Sequence, residues 1–525
     1  MQVVLDSAVK FKAPTEEAEF ICKCIEKSEI LSTESGLSEV LVNWELPEME
    51  RLASLVPRDV KVPSPILKEY NWPGLFQPFV HQKETSEFLS LRRRAFCFNE
   101  AGTGKTSAAI WAADYLMNKG IIRRVLVICP LSIMFSAWQA DLFKTAMHRT
   151  CGVAHGSASR RKKVIEGGYD FVVINYDGVG VVQKEISEGN FDLIIIDEAN
   201  AYKTTSTQRW KILARILKMD TYLWMMTGTP ASQSPLDAFG LARLVNPSGV
   251  PKFVTAWRDK VMQQVTRFKW LPKSTARDAV FNALQPAIRF EKAQCLDLPD
   301  VVYQIREVPL TPQAQKFYRD LKKDMLIKAA GEQISTVNAA ASLTKLLQIS
   351  GGAVYTDSGE VVEFDISPRK QALREVLEET KHKVIVFVPY RHTIEVVSNF
   401  LTQEGYTNEI ISGSVSARER GEIFNRFQTA TDPRVLIIQP QAASHGVTLT
   451  AANTVVFWSP VMSVETYLQC IARMDRYGQQ NKMTVVHLQG SEVERKVFEM
   501  LQNKVDLHDK LVDLYKFELE IEDNG

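Results

Sequence analysis

Short apolar runs alternate with longer amphipathic stretches through much of the chain. In the first half these runs occupy residues 123–130, 170–176, 191–198 and 221–230, and stretches with helical spacing lie between them. Strands that are apolar throughout are buried on both faces, and strands separated by helices pair in parallel. The pattern therefore predicts an α/β domain with a parallel sheet over residues 71–250.

The same alternation returns in the last third of the chain. Apolar runs at 383–390, 434–440, 454–460 and 484–490 predict a second parallel α/β domain over residues 351–505. Regular strand spacing is missing from residues 251–350, which are predicted to form a mostly helical insertion or bridge. Residues 506–525 are predicted to be a helical tail with a frayed acidic end.

The first 70 residues predict a small α+β domain of their own. Residues 3–13 and 39–47 have strand-like patterns, and a stretch of helical spacing follows each of them. Thr15 stands where the capping residue of the first helix is expected. Three prolines within residues 57–65 predict a linker to the first α/β domain.

The composition is that of a multidomain globular protein of 525 residues, with 45% hydrophobic and 24% charged residues. The net charge of +1 excludes a uniformly basic nucleic-acid binder but allows a local basic groove. Apolar runs long enough to cross a membrane are missing, so we expect no membrane partner. The N-terminus lacks a signal-peptide pattern, and the seven scattered cysteines suit reduced thiols.

A glycine-rich run at residues 98–106, with the sequence FNEAGTGKT, precedes a helical stretch. Glycines let backbone N–H groups approach a phosphate chain, and a helix N-terminus adds partial positive charge. Lys105 can hold the β- and γ-phosphates of ATP, and the Thr106 hydroxyl can contact Mg²⁺. The predicted ATP-binding residues are Gly102, Thr103, Gly104, Lys105 and Thr106.

Two carboxylates, Asp197 and Glu198, end the apolar run at 193–196. In a parallel sheet, such a strand end lies at the same edge as the phosphate loop. Asp197 can hold Mg²⁺, and Glu198 can orient and deprotonate the attacking water. The alternative is an ordinary strand-to-helix turn capped by acids, which the upstream phosphate loop disfavours.

Two further polar runs extend this pattern. Residues 227–230, with the sequence TGTP, follow an apolar run and can couple the state of the γ-phosphate to domain position. Alone, they would be a simple turn. Arg473 and Arg476 have the spacing of one helix face, and a guanidinium can stabilise charge on a transferring phosphoryl group. Both arginines are therefore predicted to be catalytic.

Together these motifs resemble the Swi/Snf-like DNA translocase branch of superfamily-two helicases, over about residues 75–505. The resemblance implies two RecA-like domains that hydrolyse ATP with Mg²⁺ in the cleft between them. It also implies that Gln82 reads adenine and that Gly446 belongs to the nucleotide site. DNA backbone contacts are expected from Ser132, Trp138, Tyr176, Ser444 and Thr448.

Asn99 stands where the strict phosphate-loop pattern has glycine. The chain also departs from the family pattern at three places. Asn200 stands where the family's acidic motif has histidine. Residues 443–446 lack the family's Gly-Gly pair, and Ser459 replaces the asparagine of a Trp-Asn-Pro run. The last two changes indicate a divergent member, more like phage or bacterial remodelling helicases than a nucleosome remodeller.

The N-terminal domain resembles the HARP domain of annealing helicases. Residues 1–72 carry an excess of acids over basic residues, which argues against phosphate binding over the whole face of the domain. The alternative role is a stabilising cap packed on the first motor domain.

Residues 252–292, here called the basic segment, carry an excess of Lys and Arg over acids. We predict that Arg267, Lys269 and Lys273 contact the DNA backbone. The alternative is an ordinary solvated face. The three aromatic residues Trp257, Phe268 and Trp270 could wedge at a DNA junction or pack the small core of this segment, and packing is expected for Trp257.

The predicted function is an ATP-dependent DNA translocase or helicase that remodels duplex, forked or four-way junction DNA by branch migration, fork reversal or annealing. The alternative is a remodeller that displaces proteins or RNA polymerase from DNA. A catalytically silent scaffold is disfavoured because Lys105, Asp197 and Arg476 are all present. We expect a monomer in the cytoplasm of a bacterium or of a phage-infected host.

Overall fold

Two compact units, Met1–Leu296 and Asp297–Gly525, make up the chain in a computed structural model. No helix in the described part of the chain is long and apolar enough to cross a membrane. The structure describes residues 1–57, 60–228, 230, 234–266, 270–295, 298–331, 336–355, 360–443, 447–476, 478–504 and 514.

The first unit begins with an antiparallel sheet in the order β1-β2-β4-β3. Alternate residues of β4 are buried, as expected for a strand with one face on a core. The strand β3 is almost fully exposed, so no apolar alternation marked it in the sequence. These elements are β1 (Gln2–Val4), β2 (Ala8–Pro14), α1 (Thr15–Cys24), β3 (Ser28–Glu34), β4 (Leu37–Asn43), α2 (Leu46–Leu55) and α3 (Ile66–Glu69).

The expected cap at Thr15 is wrong. The residue preceding α1 is Pro14, and no side chain caps this helix. Thr15 is already helical, and its hydroxyl accepts a hydrogen bond from the Ser38 hydroxyl of β4 at 3.2 Å. The contact between α1 and β4, rather than a local cap, engages this side chain.

The described part of the predicted linker packs against the first α/β domain. The Ser64 backbone N–H donates to the Glu87 carboxylate at 3.1 Å, and the Ser64 hydroxyl bonds that of Ser90 at 2.8 Å. Val62 is buried, and the Pro63 carbonyl accepts from the Trp44 indole at 2.9 Å. These contacts join the N-terminal sheet to the rest of the unit.

Seven parallel strands form the main sheet of the first unit, in the order β13-β5-β10-β9-β6-β8-β7. The four strands predicted from apolar runs are confirmed. A separate antiparallel pair is formed by β11 and β12. The strands are β5 (Arg94–Cys97), β6 (Val125–Cys129), β7 (Cys151–Ala154), β8 (Phe171–Asn175), β9 (Leu193–Asp197), β10 (Tyr222–Met226), β11 (Met262–Gln264), β12 (Trp270–Pro272) and β13 (Ala287–Ile288).

Helices cover both faces of this sheet, and short 3₁₀ and π-helical turns interrupt the connections. The 3₁₀ turns are Leu131–Ile133, Ala199–Tyr202, Pro235–Asp237 and Pro247–Gly249, and the π-helical segment is Met134–Gln139. The α-helices are α4 (Val80–Ser90), α5 (Lys105–Asn118), α6 (Ala140–Thr145), α7 (Ala158–Ile165), α8 (Tyr176–Val181), α9 (Gln183–Glu188), α10 (Gln208–Ile216), α11 (Ala238–Val245), α12 (Val254–Val261), α13 (Ala276–Ala283) and α14 (Lys292–Cys295).

Alternate residues of the strands point into two different cores. Val127 and Ile195 belong to a core that also contains the buried residues of α5 and of the N-terminal sheet. Ile128 and Ile196 belong to the opposite core, which contains Trp257 and other buried residues of α11 to α13. The N-terminal sheet and the helices of the basic segment thus cover opposite faces, which supports the cap alternative for the N-terminal domain.

The mostly helical pattern predicted for residues 251–350 missed four strands. The strands β11, β12 and β13 are two or three residues long, too short to give a periodic signal. The longer β14 (Val301–Glu307) belongs to the sheet of the second unit. Contacts divide the chain within this stretch, and the five-domain division made from the sequence stays a proposal.

Six parallel strands form the main sheet of the second unit, in the order β14-β21-β20-β17-β19-β18. The four apolar runs predicted as strands are confirmed, and β15 pairs with β16 separately. The strands are β14 (Val301–Glu307), β15 (Ala353–Tyr355), β16 (Val361–Glu363), β17 (Lys383–Phe387), β18 (Asn408–Ile411), β19 (Val435–Ile438), β20 (Ala452–Phe457) and β21 (Met483–Gln489).

Helices again follow most strands, which confirms the prediction of two parallel α/β domains with RecA-like architecture. The predicted C-terminal tail, apart from Leu514, lies outside the described residues. The helices are α15 (Pro312–Gly331), α16 (Thr336–Gly351), α17 (Ser367–Glu379), α18 (Arg391–Gln403), α19 (Ala417–Thr429), α20 (Pro440–Ala443), α21 (Val464–Ile471) and α22 (Glu492–Gln502).

Candidate active site

The glycine-rich loop lies between β5 and α5, as its sequence predicts. Gly104 has φ +78° and immediately precedes α5, and a Cβ added there would lie 2.0 Å from the Gln82 Nε2 atom. Glycine therefore satisfies both the backbone conformation and the close approach of α4. The Lys105 amine donates to the Glu100 carbonyl at 3.2 Å, across the loop that it terminates.

Two neighbouring side chains of α4 hold the same carbonyl of this loop. His81 Nε2 lies 2.8 Å from the Thr103 carbonyl oxygen, and Gln82 Nε2 donates to it at 3.4 Å. The Gln82 side-chain oxygen accepts from the Phe79 N–H at 2.9 Å. Gln82 thus positions the phosphate loop, and its reading of adenine stays a prediction. His81 was missed because a lone histidine has no spacing signal.

Asn99, which stands where the strict phosphate-loop pattern has glycine, bridges three elements of the first unit. Its side-chain Nδ2 donates to the Thr85 hydroxyl of α4 at 2.8 Å, and its side-chain Oδ1 accepts from the Phe290 N–H at 3.0 Å. The Glu100 carboxylate accepts from the Lys292 N–H at 3.0 Å. The end of the basic segment is therefore bonded directly to the phosphate loop.

The acidic pair stands at the carboxyl end of β9. Asp197 is 7% exposed, and its Oδ1 accepts from the Glu198 N–H at 3.0 Å. Its Oδ2 accepts from the Trp138 indole N–H at 3.0 Å. Glu198 has φ +51°, a conformation that a non-glycine residue adopts at a cost and that clusters at functional sites. The Tyr176 hydroxyl donates to the Asp197 carbonyl at 2.5 Å.

The strand β10 lies between β5 and β9, so the TGTP run reaches the same sheet edge. Thr227 is fully buried, and its N–H donates to the Cys97 carbonyl at 3.0 Å. A Cβ added to Gly228 would lie 3.3 Å from the Ala101 nitrogen of the phosphate loop. Thr229 lies outside the described residues. The phosphate loop, the TGTP turn and the acidic pair therefore lie at the same edge of the sheet.

The charges of Lys105 and Asp197 both act on the buried Cys97 thiol. Burial raises the pKa of Cys97 to about 11, Lys105 opposes that rise and Asp197 adds to it. The Thr106 hydroxyl and the Asp197 carboxylate are hard oxygen donors of the kind that Mg²⁺ prefers. This donor set fits the predicted Mg²⁺ site.

The residues predicted to contact DNA differ in how far their side chains are exposed to solvent. Trp138 is 1% exposed and bonded to Asp197, which argues against a DNA contact by this side chain. Tyr176 is half-buried with its hydroxyl on the acidic pair, Ser132 is half-buried, and Thr448 is exposed. The Lys273 amine donates to the Asp259 carbonyl at 2.5 Å. Four predicted site residues lie outside the described residues: Arg267, Lys269, Ser444 and Gly446.

The two predicted catalytic arginines do not share a helix face, because α21 ends at Ile471 and both lie in the turns beyond it. Arg473 is 3% exposed and donates to the carbonyls of Gln469 at 3.0 Å and Val447 at 3.4 Å. Arg476 is half-buried and donates to the Thr448 hydroxyl at 3.0 Å. Of the two guanidinium groups, that of Arg476 is more accessible.

The two tryptophans of the basic segment pack against the hydrophobic core on one face of the first main sheet. Trp257 is fully buried, and its indole donates to the Pro235 carbonyl at 3.1 Å, which confirms the packing role for this residue. The Arg258 guanidinium lies 4.5 Å from the centroid of the half-buried Trp270 ring. Phe268 lies outside the described residues.

Known protein families match most of the chain. The SNF2-related domain matches residues 81–351, which is more than half of the chain. The helicase conserved C-terminal domain matches residues 368–478.

Curated relatives are about a quarter identical to the chain over the regions that align. Chromodomain-helicase-DNA-binding protein 1-like of Mus musculus is 24% identical over 79% of this chain and 47% of its own length. Protein p41 of Acyrthosiphon pisum secondary endosymbiont phage 1 is 25% identical over 76% of this chain and 88% of its own length. An ATP-dependent helicase of Mycoplasma genitalium is 24% identical over 78% of this chain and 39% of its own length. The chain thus spans less than half of the mouse and Mycoplasma proteins.

Among solved structures, the Sulfolobus solfataricus SWI2/SNF2 ATPase core in complex with dsDNA is similar to this chain. It has 20% sequence identity and a TM-score of 0.41, and the match covers 86% of this chain and 96% of that one.

Proposed function

This chain belongs to the SNF2-related family, and on this premise we propose that it is an ATP-dependent DNA translocase that remodels branched or duplex DNA. The observation that carries the proposal is the meeting of three motifs at one edge of the first sheet. The Lys105 loop, the turn at Thr227 and the Asp197–Glu198 pair come from three neighbouring strands, β5, β10 and β9. If Asp197 and Glu198 only capped an ordinary strand-to-helix turn, the phosphate loop and the Thr227 turn would not need to lie at the same edge.

The residues at this edge have separate roles in ATP hydrolysis. Backbone N–H groups of the loop and the Lys105 amine bind the phosphates. Thr106 and Asp197 would hold Mg²⁺, and the bound ion would neutralise charge on the phosphates. Glu198 accepts the proton of the attacking water, and Arg476 of the second unit stabilises charge on the transferring phosphoryl group. Gln82 and Gly446 contribute to the nucleotide site.

DNA is the proposed track of this motor, contacted through its phosphates. A motor that moves past any sequence has to read the backbone rather than the bases. The names of the relatives include "helicase" and "DNA-binding", which supports a nucleic-acid substrate. Proposed contacts are Ser132, Tyr176, Lys273 and Thr448, with Arg267, Lys269 and Ser444. Duplex, forked and four-way junction DNA are the proposed substrates.

A second candidate function is displacement of bound proteins from DNA. The observation that favours it is the match to chromodomain-helicase-DNA-binding proteins, which covers 47% of the mouse relative.

One comparison separates the two functions. ATP-dependent unwinding or migration would be measured on forks and four-way junctions, and displacement would be measured on linear duplex carrying a tightly bound protein. The Lys105→Ala variant, which lacks the phosphate-binding amine, controls for contaminating activity. Junction processing without protein displacement supports the proposed function, and the reverse result supports the second candidate. An ATPase that no DNA form stimulates would overturn both.

A further inference from the structure

The buried indole of Trp138 contacts the predicted Mg²⁺ ligand directly. Its single N–H donates to the Asp197 Oδ2 atom at 3.0 Å, and the side chain is 1% exposed. Indole has one donor and no acceptor, so this hydrogen bond satisfies its whole hydrogen-bonding capacity. The residue therefore has a specific polar contact in addition to its packing.

This contact completes a pair of donors that fixes the Asp197 carboxylate. The Glu198 backbone N–H bonds Oδ1 at 3.0 Å, while Trp138 bonds Oδ2. Two donors on different oxygens hold the carboxylate at one rotation about its Cβ–Cγ bond. Hydrogen-bond partners of metal-binding carboxylates orient the ligand, and their loss weakens metal binding.

Trp138 also belongs to a segment with an exposed side. The π-helical segment Met134–Gln139 follows a 3₁₀ turn, and π-helical turns occur frequently at functional sites. Leu131 is 45% exposed and Phe135 is 41% exposed, whereas Trp138 reaches Asp197 inside the unit. One short segment thus presents its surface to solvent and its buried side to the acidic pair.

We propose that Trp138 is a positioning residue, which orients Asp197 for Mg²⁺ and passes the effect of DNA bound at residues 131–135 to the Mg²⁺ site. The orienting role follows from the two hydrogen bonds on the carboxylate. The DNA-dependent role rests on the proposed function, which assigns a DNA contact to Ser132.

The first test measures Mg²⁺-dependent binding of a fluorescent ADP analogue without DNA. Trp138→Phe removes the N–H donor, so we expect the Mg²⁺ concentration at half-maximal binding to rise about 10–100-fold. Binding in EDTA should stay close to that of the wild type. An unchanged Mg²⁺ midpoint in Trp138→Phe would overturn the orienting role.

A matched control is Trp224→Phe. Trp224 is fully buried in the same unit, and its indole donates to the Arg92 backbone carbonyl at 2.9 Å instead of to a carboxylate. This variant should lose comparable packing without a change in the Mg²⁺ midpoint. An equal shift in both variants would assign the effect to packing and reject the proposal.

Two further variants address folding and coupling. Trp138→His keeps a ring N–H at the equivalent ring position and should recover part of the Mg²⁺ affinity even if Trp138→Phe folds poorly. In an Asp197→Asn background, Trp138→Phe should add no further shift. Full additivity of the two changes would contradict a role exerted through Asp197.

The DNA arm repeats the Mg²⁺ titration with saturating duplex. DNA should move the Mg²⁺ midpoint of the wild type and leave that of Trp138→Phe in place. An equal DNA response in both proteins would reject the transmitting role. A wild type whose Mg²⁺ midpoint does not respond to DNA would also reject the transmitting role. An ATPase that no DNA stimulates would contradict the proposed function, while the DNA-free result still decides the orienting role.

Discussion

The acidic edge of the first sheet and the arginine turn of the second unit carry equally conspicuous polar residues, but their contacts differ. At the first edge, Asp197 and Glu198 bond to each other, to Trp138 and to Tyr176. In the second unit, Arg473 bonds to backbone carbonyls that its own turn and the preceding loop supply.

This difference shows that a residue type alone does not determine whether its side chain is free to contact a ligand. Arg473 and Arg476 are the same residue type within one short motif, and yet one is 3% exposed while the other is half-buried. A guanidinium whose donors bind local carbonyls stabilises the turn. We therefore expect substitution of Arg476 to lower ATP turnover and substitution of Arg473 to lower stability. The following variants test this difference.

The largest effect should come from the first unit. Lys105→Ala removes the charge partner of the phosphates, so ATP turnover should be lost together with most nucleotide affinity. Glu198→Gln should abolish turnover while keeping affinity, because only the proton acceptor changes. Steady-state ATPase and nucleotide-binding measurements check both variants, and near-normal turnover in either would reject the site.

Arg476→Ala should come next. Loss of an arginine that stabilises the transferring phosphoryl group costs about 10³–10⁵ in rate in related phosphoryl-transfer enzymes. Nucleotide affinity and melting temperature should change little. The control is Arg418→Ala, whose side chain is 90% exposed and pairs only with the adjacent-turn Glu422 in the described part of the chain. Equal turnover in the two variants would remove Arg476 from the catalytic residues.

Arg473→Ala should act on stability. The carbonyl oxygens of Gln469 and Val447 would lose a buried charged donor, which should lower the free energy of unfolding by about 1–3 kcal/mol. The second unit should melt a few degrees lower, and its turnover should fall mainly when the protein unfolds. Thermal denaturation with ATPase assays well below the transition checks this. A stable Arg473→Ala protein without turnover would give Arg473 the role expected from its sequence.

The smallest effect should be the pH dependence of the second unit. Burial lowers the pKa of His487 to about 3 from its ordinary 6.5, and in the described part of the chain its Nδ1 has no hydrogen-bond partner. Below pH 6.5, His487 is therefore protonated in the unfolded chain but stays neutral in the folded unit. Stability is lost as pH falls from about 6.5 towards 3, by up to about 1.4 kcal/mol per pH unit.

Denaturant titrations at pH 7.0 and 5.5 would measure this loss. His487→Gln should reduce the difference between the two pH values, because no imidazole is then protonated on unfolding. The exposed His382 offers a control, since His382→Gln should leave the difference unchanged. An identical pH difference in the wild type and in His487→Gln would refute the assignment.

The sequence by itself determined the two parallel sheets and most of the nucleotide edge. Buried parallel strands are apolar along their whole length, so β6, β9, β17 and β20 stand out without any knowledge of their neighbours. The phosphate loop and the acidic pair are local motifs at strand ends, and parallel strands place such ends at one edge. These features depend on short stretches of chain.

Only the tertiary structure decided which side chains contact the predicted site residues. Trp138 and Asp197 are far apart in sequence, and no spacing rule predicts their hydrogen bond. The helix-face prediction for Arg473 and Arg476 failed because α21 ends at Ile471, where the chain turns back on its own carbonyls. The strand β3 was missed because its exposed side chains carry no apolar period. In each case, long-range packing or solvent exposure fixed an outcome that local residue patterns leave open.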